Sequence, residues 1–338
     1  MVEVVMEQVI KSYEIPDSLP QGLLDRLRSR EALLLLLLGL TVLINSLLSP
    51  YFLDIYNLAD STQNFSEKGI IVLSMALVII GQEIDISVAS IIALSGVLMG
   101  AAASFGCGTG TVVLVGLASG TLAGALNGLL VTRLDLPSII VTIGTMSLYR
   151  GIAFIILGDR AYTSFPDGFQ AIGQAYFFDD LVPSQFIVFV MLAAGVWYFL
   201  HHTVYGRRLF AIGNNPTGAK YSGIRVDNYR LGLLTLNGFM SGLAAIMLVS
   251  RIATARPNMA PGWELEIITM TILGGVSIFG GMGKMPGVIL AVLLIGMVQF
   301  GMQLNNIPGV IMSIFTGALL VVSLVLPILL GKFFSGRK

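Results

Sequence analysis

The sequence predicts an all-α integral membrane protein of about ten transmembrane helices, with a short cytoplasmic helix in one loop and broken helices among the spans. Three observations predict it. The chain of 338 residues is 55% hydrophobic and 11% charged, with mean hydropathy +0.88. A soluble domain carries about a quarter charged residues. Apolar segments long enough to cross a bilayer recur along the whole chain. The formal net charge is zero, yet the basic residues collect in alternate loops, as they do where positive loops stay on the cytoplasmic side.

Residues 1–31 read as a polar, partly amphipathic cytoplasmic lead carrying Lys11, Arg26, Arg28 and Arg30. Residues 32–330 form the membrane domain and 331–338 a cytoplasmic tail. The first apolar run, 33–44, ends in NSLLSP without a small-x-small cleavage site, so it reads as a span rather than a secretory signal. Spans are expected at 32–49, 68–81, 88–106, 111–132, 138–157, 186–202, 230–252, 265–281, 287–303 and 309–330. With both termini inside, the cytoplasmic loops hold Arg133, Arg207, Arg208, Lys220, Arg225, Arg230 and Lys284. The outer side holds Lys68, Arg160, Arg251 and Arg256.

Between the second and third spans lies GQEIDIS, residues 81–87. Glu83 and Asp85 are carboxylates in an apolar setting, where ionisable groups are costly, and Asp85 or Ser87 suits the N-cap of the next helix. Two readings stand side by side: a broken helix near a transport path, or a tight turn at the inner boundary. The fourth span repeats Gly116, Gly120, Gly124 and Gly128 on one face, which permits close approach of another helix, in this chain or another subunit. The fifth span carries Thr142, Thr145 and Arg150. Arg150 should avoid lipid, by lining a water-filled cavity or pairing with Asp159. The outer loop 158–185 reads as a short ordered cap.

The seventh span ends in SRIATARPNMAPGWELE. Its Arg251, Arg256, Asn258 and Glu264 fall at the outer mouth, as interfacial anchors or as contacts for an extracytoplasmic partner. The glycine-rich eighth span suggests a close-packed or broken helix with a tight inner turn at 280–287. Lys284 there follows Gly283 but precedes Met285, and Ile278 holds the first glycine position of a phosphate loop, so nucleotide binding is rejected. Gln299, Gln303, Asn305 and Asn306 gather at the outer end of the ninth span. These amides suit polyhydroxylated ligands or an ordinary helix terminus.

The longest basic interruption is YGRRLFAIGNNPTGAKYSGIRVDNYR, 205–230, within a loop 203–230. Asn215 suits an N-cap, Pro216 the first helical position and Gly223 a C-terminal stop. About two turns are expected, from Thr217 to Ser222. Charge alone would keep the loop inside. The caps point further, to a shaped knob that docks a cytoplasmic protein.

Several function classes drop out. Cys107 stands alone and reads as packing; His201 and His202 are adjacent and do not share a helix face. Hence no metal site and no catalytic constellation is expected, and nothing calls for nucleic acid. Few charges lie in the spans, so an ion-coupled secondary transporter, the alternative reading, has only Glu83, Asp85 and Arg150 to work with. A transport subunit driven by a separate ATPase fits better.

Four segments sharpen this. GQEIDISVASIIALSG (81–96) resembles G-G-I-D-L-S-V-G-S. PSIIVTIGTMSLYRGIAFIIL (137–157) resembles P-x-F-I-V-T-L-G-T-x-x-x-x-R-G. GRRLFAIGNNPTGAKYSGI (206–224) resembles G-x-x-x-x-A-x-G-x-N-x-x-A-A-x-x-S-G-I, and ILGGVSIFGGMGKMPGVILAVLLIG (272–296) resembles L-G-G-x-x-x-x-G-G-x-G-x-x-x-G. Together they resemble the permeases of ribose-type ATP-binding-cassette sugar importers, whose superfamily includes branched-chain amino acid permeases. Gln82, Glu83, Ala89 and Gly218 depart from the pattern, and the 81–96 segment is nearer to rhamnose and autoinducer-2 permeases.

The resemblance implies a subunit of the bacterial cytoplasmic membrane that imports a small sugar or sugar-like solute. Its partners would be two ATP-binding subunits, which hold the ATP and Mg, an extracytoplasmic solute-binding protein and a second permease chain, identical or different. No cofactor is implied in this chain. The helix within 214–223 would couple to the ATPase through Asn214, Asn215, Pro216, Thr217, Ala219, Lys220, Ser222 and Gly223. Candidate path residues are Glu83, Asp85, Ser87, Thr142, Thr145, Arg150, Gln299 and Gln303. Arg251, Arg256, Asn258 and Glu264 are candidates for docking the binding protein.

Overall fold

A computed structural model describes residues 30–179 and 181–335. The predicted lead therefore lies outside the described residues except for its last two, as do the last three residues of the tail. In order, the helices are α1 (Arg30–Leu48), α2 (Ile55–Ile80), α3 (Val88–Ser104), α4 (Thr109–Arg133), α5 (Ser138–Leu157), α6 (Phe169–Gln174), α7 (Ser184–His202), α8 (Val204–Asn214), α9 (Pro216–Tyr221), α10 (Val226–Ile252), α11 (Trp263–Leu273), α12 (Met285–Leu304) and α13 (Gly309–Ser335). Seven described helices, α1, α2, α4, α5, α7, α10 and α12, are long and apolar enough to cross a membrane. α3 and the first part of α13 are shorter apolar helices. The predicted spans fall on α1 to α5, α7 and α10 to α13.

α2 is the central post. Every residue from Gly69 to Ile80 is buried, as expected for a helix apolar on all sides. It packs against α7, α10, α11 and α12. Its start differs from expectation: the second span begins at Ile55, not residue 68. Asp54 caps it by accepting from the Tyr56 and Asn57 amides. The stretch from 55 to 67 looks polar in sequence, but Gln63, Ser66 and Glu67 are buried inside the protein.

The glycine stripe of α4 faces α10 of the same chain. A Cβ on Gly120 would lie 2.5 Å from the Gly238 carbonyl oxygen and 2.7 Å from Gly242 Cα. Gly124 meets Leu234 and Gly238, and Gly128 meets Leu231. Two glycine rows interlock, backbone on backbone, so this face has its partner without a second subunit.

Residues 81–87 form a partly buried turn. α2 ends at Gly81, the exposed Gln82 takes a positive φ of 65°, and α3 begins at Val88. The eighth span is shorter than expected, 263–273 rather than 265–281. Eleven residues give about 16 Å, too short to cross a hydrocarbon core of about 30 Å. It stops at Gly275, which takes a positive φ of 94° while the Gly275 and Val276 amides return to the carbonyls of Ile272 and Thr271. A Cβ on Gly274 would lie 2.5 Å from Val288 Cα on α12, and Gly280 and Gly281 take positive φ in the turn that follows α11. The loop after α5 carries α6 and a hairpin of β1 (Tyr176–Phe177) and β2 (Val182–Pro183). The predicted tail at 331 is a continuation of α13 to Ser335.

Candidate functional site

One face of the bundle is built around α9. Asn215 is its N-cap, with a side-chain oxygen accepting from the Gly218 amide at 2.9 Å, and Pro216 opens the helix. At the other end Gly223 takes φ +83°, and the amides of Gly223 and Ile224 return to the carbonyls of Lys220 and Ala219. This wraps the last turn with backbone hydrogen bonds. Asn214 belongs to α8, not to the short helix.

Beneath α9 is a platform that the sequence reading missed. α8 is amphipathic, with Leu209 and Ile212 buried and Arg207 and Arg208 exposed. Thr203 caps it through the Gly206 amide. Gly213 presses against Ile80 and Gly281, and Asn214 Nδ2 donates to the Gly281 carbonyl at 3.3 Å. Ala219 is buried with Ile212 and Val226. Thr217, Lys220, Ser222 and Gly223 are exposed, and Tyr221 is 89% exposed. Phe279 and Met282, in the turn after α11 whose Gly281 touches Asn214, are exposed apolar residues. A groove of about 430 Å³ runs beside α9, lined among others by Asp135, Thr217, Lys220, Asp227 and Arg230.

The turn at 81–87 carries a buried polar network. Asp85 Oδ1 accepts from the Ser87 amide at 2.9 Å and from Ser87 Oγ at 2.6 Å; Oδ2 accepts from Asn237 Nδ2 at 2.9 Å. Ser74 Oγ donates to Asn237 Oδ1 at 2.7 Å. On the other arm Asn127 Nδ2 donates to Ser87 Oγ at 2.8 Å, and the Tyr149 hydroxyl lies 3.0 Å from Asn127 Oδ1. Two residues bond the Asp85 carboxylate directly, and through them one network links α2, α4, α5, α10 and the N-cap of α3. Glu83 forms an ion pair with Arg230 at 2.7 Å. Ser138 Oγ accepts from the Ile84 amide, and Thr142 Oγ1 donates to the Ile84 carbonyl. Thr145 is buried on the same face of α5.

A second cluster sits higher in the bundle. Arg251 reaches Glu67 through two hydrogen bonds, 2.7 and 3.0 Å, and Glu67 is fully buried. Lys68 pairs with Glu266 at 2.7 Å, bonds to Gln299 at 3.2 Å and lies 5.3 Å from the Trp263 ring centroid. Gln299 Nε2 also donates to Glu266 at 2.7 Å. Lys68 is therefore inside α2, not in an outer loop, and the ionisable groups among the spans include Glu67, Lys68, Arg251 and Glu266 besides those expected. They escaped sequence reading because each is neutralised by a residue remote in the chain.

After α10 the chain folds back into the bundle. Ala253 and Ala260 take positive φ. Ala255 bridges to Tyr162. Arg150 Nη1 donates to the carbonyls of Pro257 and Met259, both at 2.7 Å. Its partners are thus backbone oxygens, not Asp159. Arg256 and Asn258 are exposed, Glu264 is half-buried and Gln303 is exposed. The structure brings Arg150, Arg256, Asn258 and Glu264 into one region and leaves Gln303 outside it.

A bundle of long and broken apolar helices, locked by buried polar turns and carrying a capped helix on one face, defines a multi-pass membrane permease. The chain belongs to the family described as branched-chain amino acid transport system / permease component, which matches residues 57–324. It is 35% identical over 298 residues to the autoinducer 2 import system permease protein LsrD of Enterobacter sp. (strain 638), covering 86% of this chain and 90% of the relative. It is 32% identical over 291 residues to the ribose import permease protein RbsC of Bacillus subtilis (strain 168), with the same coverages of 86% and 90%. The LsrD protein of Klebsiella pneumoniae subsp. pneumoniae is 34% identical over 298 residues, 86% of this chain and 89% of its own length. No solved structure matches the chain.

Proposed function

We propose that this chain is the permease subunit of an ATP-driven importer for a small sugar or sugar-like solute in the bacterial inner membrane, with both termini cytoplasmic. The observation that carries the reading is α9, a capped helix on a buried platform, presented by a chain of this permease family. The relatives named as importers of autoinducer 2 and ribose support the substrate class. α9 docks on separate ATP-binding subunits that hold ATP and Mg. An extracytoplasmic binding protein delivers the solute, and a second permease chain completes the path. Within the coupling set, Asn215, Pro216 and Gly223 shape the helix, Ala219 and Asn214 fix it to the platform, and Thr217, Lys220 and Ser222 meet the partner. Glu83, Asp85, Ser87, Thr142, Thr145 and Gln299 are held in bonds or buried contacts inside the chain. We assign them to the frame of the path, and Arg150 to its wall.

The test is co-purification with the cytoplasmic ATPase and ATP-dependent uptake in proteoliposomes, with D-ribose, L-rhamnose and autoinducer 2 as probes. The native chain should retain the ATPase. A chain altered at Asn215, Pro216 and Gly223 should lose it while keeping its gel-filtration profile. Uptake that persists without ATPase and ATP would overturn the reading in favour of an ion-coupled secondary transporter.

A further inference from the structure

We propose that Arg256, Asn258 and Glu264 form a solute-contact strip on the wall of the translocation path, inside the membrane and out of reach of a docked binding protein. The inference rests on the importer reading above and concerns where the solute is handled.

Three rulers fix the depth of the segment. Ser138 bonds to the inner turn at Ile84, and Arg150, twelve residues further along α5, stands about 18 Å above it. Arg150 holds the carbonyls of Pro257 and Met259. A Cβ on Gly96, midway along α3, would lie 3.3 Å from Met259 Sδ. Lys68, next to Trp263, lies twelve residues above the inner end of α2, again about 18 Å. The segment from 256 to 264 thus sits roughly half to two-thirds of the way across a hydrocarbon core of about 30 Å.

At that depth its polarity requires an explanation. Buried and exposed positions alternate: Ala255, Pro257 and Met259 face inward, while Arg256 and Asn258 are exposed. Ionised groups facing hydrocarbon are costly. Irregular backbone at membrane depth is tolerated where it is buried in protein or lines a water-filled cavity. One side of this segment is buried in this chain; the polar side lies open, where Arg256 and Asn258 call for water rather than lipid. The strip offers a guanidinium fork, an amide and a carboxylate. These are donors and acceptors matched to neighbouring hydroxyls. Arg150, engaged with backbone oxygens, also lies within electrostatic reach of Glu264. The arrangement suits a polyhydroxylated solute.

The test uses single cysteines at Arg256, Asn258 and Glu264 in a Cys107→Ala background, in the assembled complex with its ATPase in nanodiscs. The probe is a charged, membrane-impermeant methanethiosulfonate. Leu36→Cys, on an exposed apolar face of α1, is the lipid-facing control. Labelling at Asn258→Cys should exceed the control at least tenfold and change at least fivefold between nucleotide-free and vanadate-trapped complexes. Labelling no faster than the control in both states, or equal in both, overturns the strip. Failure of the importer reading shows separately, as an ATPase that never co-purifies, because water access is also measured on the permease alone.

Discussion

Glu67 and Lys68 are adjacent, opposite in charge and about 100° apart around α2, so they address different helices. Glu67 takes Arg251 of α10 and Lys68 takes Glu266 of α11. Removing one member of a buried pair leaves the other charge uncompensated, at a cost of about 3–5 kcal/mol. Glu67→Gln is expected to lower the melting temperature of the purified protein by several degrees, read by fluorescence-detected gel filtration. The double change Glu67→Gln with Arg251→Gln should recover part of the loss, since neither amide is charged. An unchanged melting temperature for Glu67→Gln would show that Arg251 finds water instead. The sequence could not disclose this cluster. A run such as STQNFSEK reads as an exterior loop until its partners, roughly two hundred residues away, are known.

At the scale of elements, legibility followed how local the signal is. The caps of α9 lie within ten residues, and the helix formed within a residue of expectation. α8 was not read because Gly206 and Gly213 interrupt a short, basic segment; they are there for close approach to Leu200 and Ile80. The glycine row of α4 was legible as a packing face, but not its partner, because Gly238 and Gly242 form only half a stripe. Gly120→Ala should destabilise by about 1–3 kcal/mol through forced separation of the helices. Gly195→Ala, where no atom lies within 4 Å, should be neutral or slightly stabilising, and thermal melts of the two variants check the contrast. Tyr221, absent from any capping pattern, is the most exposed large side chain on α9. Buried aromatic anchors dominate interfaces at about 2 kcal/mol or more. Tyr221→Ala should weaken ATPase binding at least tenfold in a titration, with the permease fold unchanged; unaltered affinity would place the contact elsewhere on the platform.

For the whole molecule, the Asp85 node separates two energy sources for transport. Its carboxylate holds Ser87 and Asn237 in a network that links five helices, so removing the side chain orphans the donors of Ser87 and Asn237, at about 1–3 kcal/mol each. Asp85→Ala is expected to express poorly or melt early. Asp85→Asn is different, because the hydrogen-bond chain can reverse. The new amide donates to Asn237 Oδ1 once that side chain turns over. Asn237 Nδ2 then donates to Ser74 Oγ, whose own hydroxyl already has the Ile71 carbonyl within 3.0 Å. Ser87 keeps its acceptor. Ser87, Asn237 and Ser74 all keep a partner while the charge is gone, and a single amide hydrogen lacks an acceptor, so the loss should be about 1–3 kcal/mol, below that of Asp85→Ala. Transport then becomes the informative readout. A carrier that moves solute by loading a proton or sodium ion on this buried carboxylate would lose uptake altogether. A permease driven by ATPases at α9 uses the node only to hold helices together, and ATP-dependent uptake by Asp85→Asn should stay within about threefold of the native chain. Abolished uptake by a stably folded Asp85→Asn, with ATPase binding intact, would transfer the coupling from α9 to the centre of the bundle.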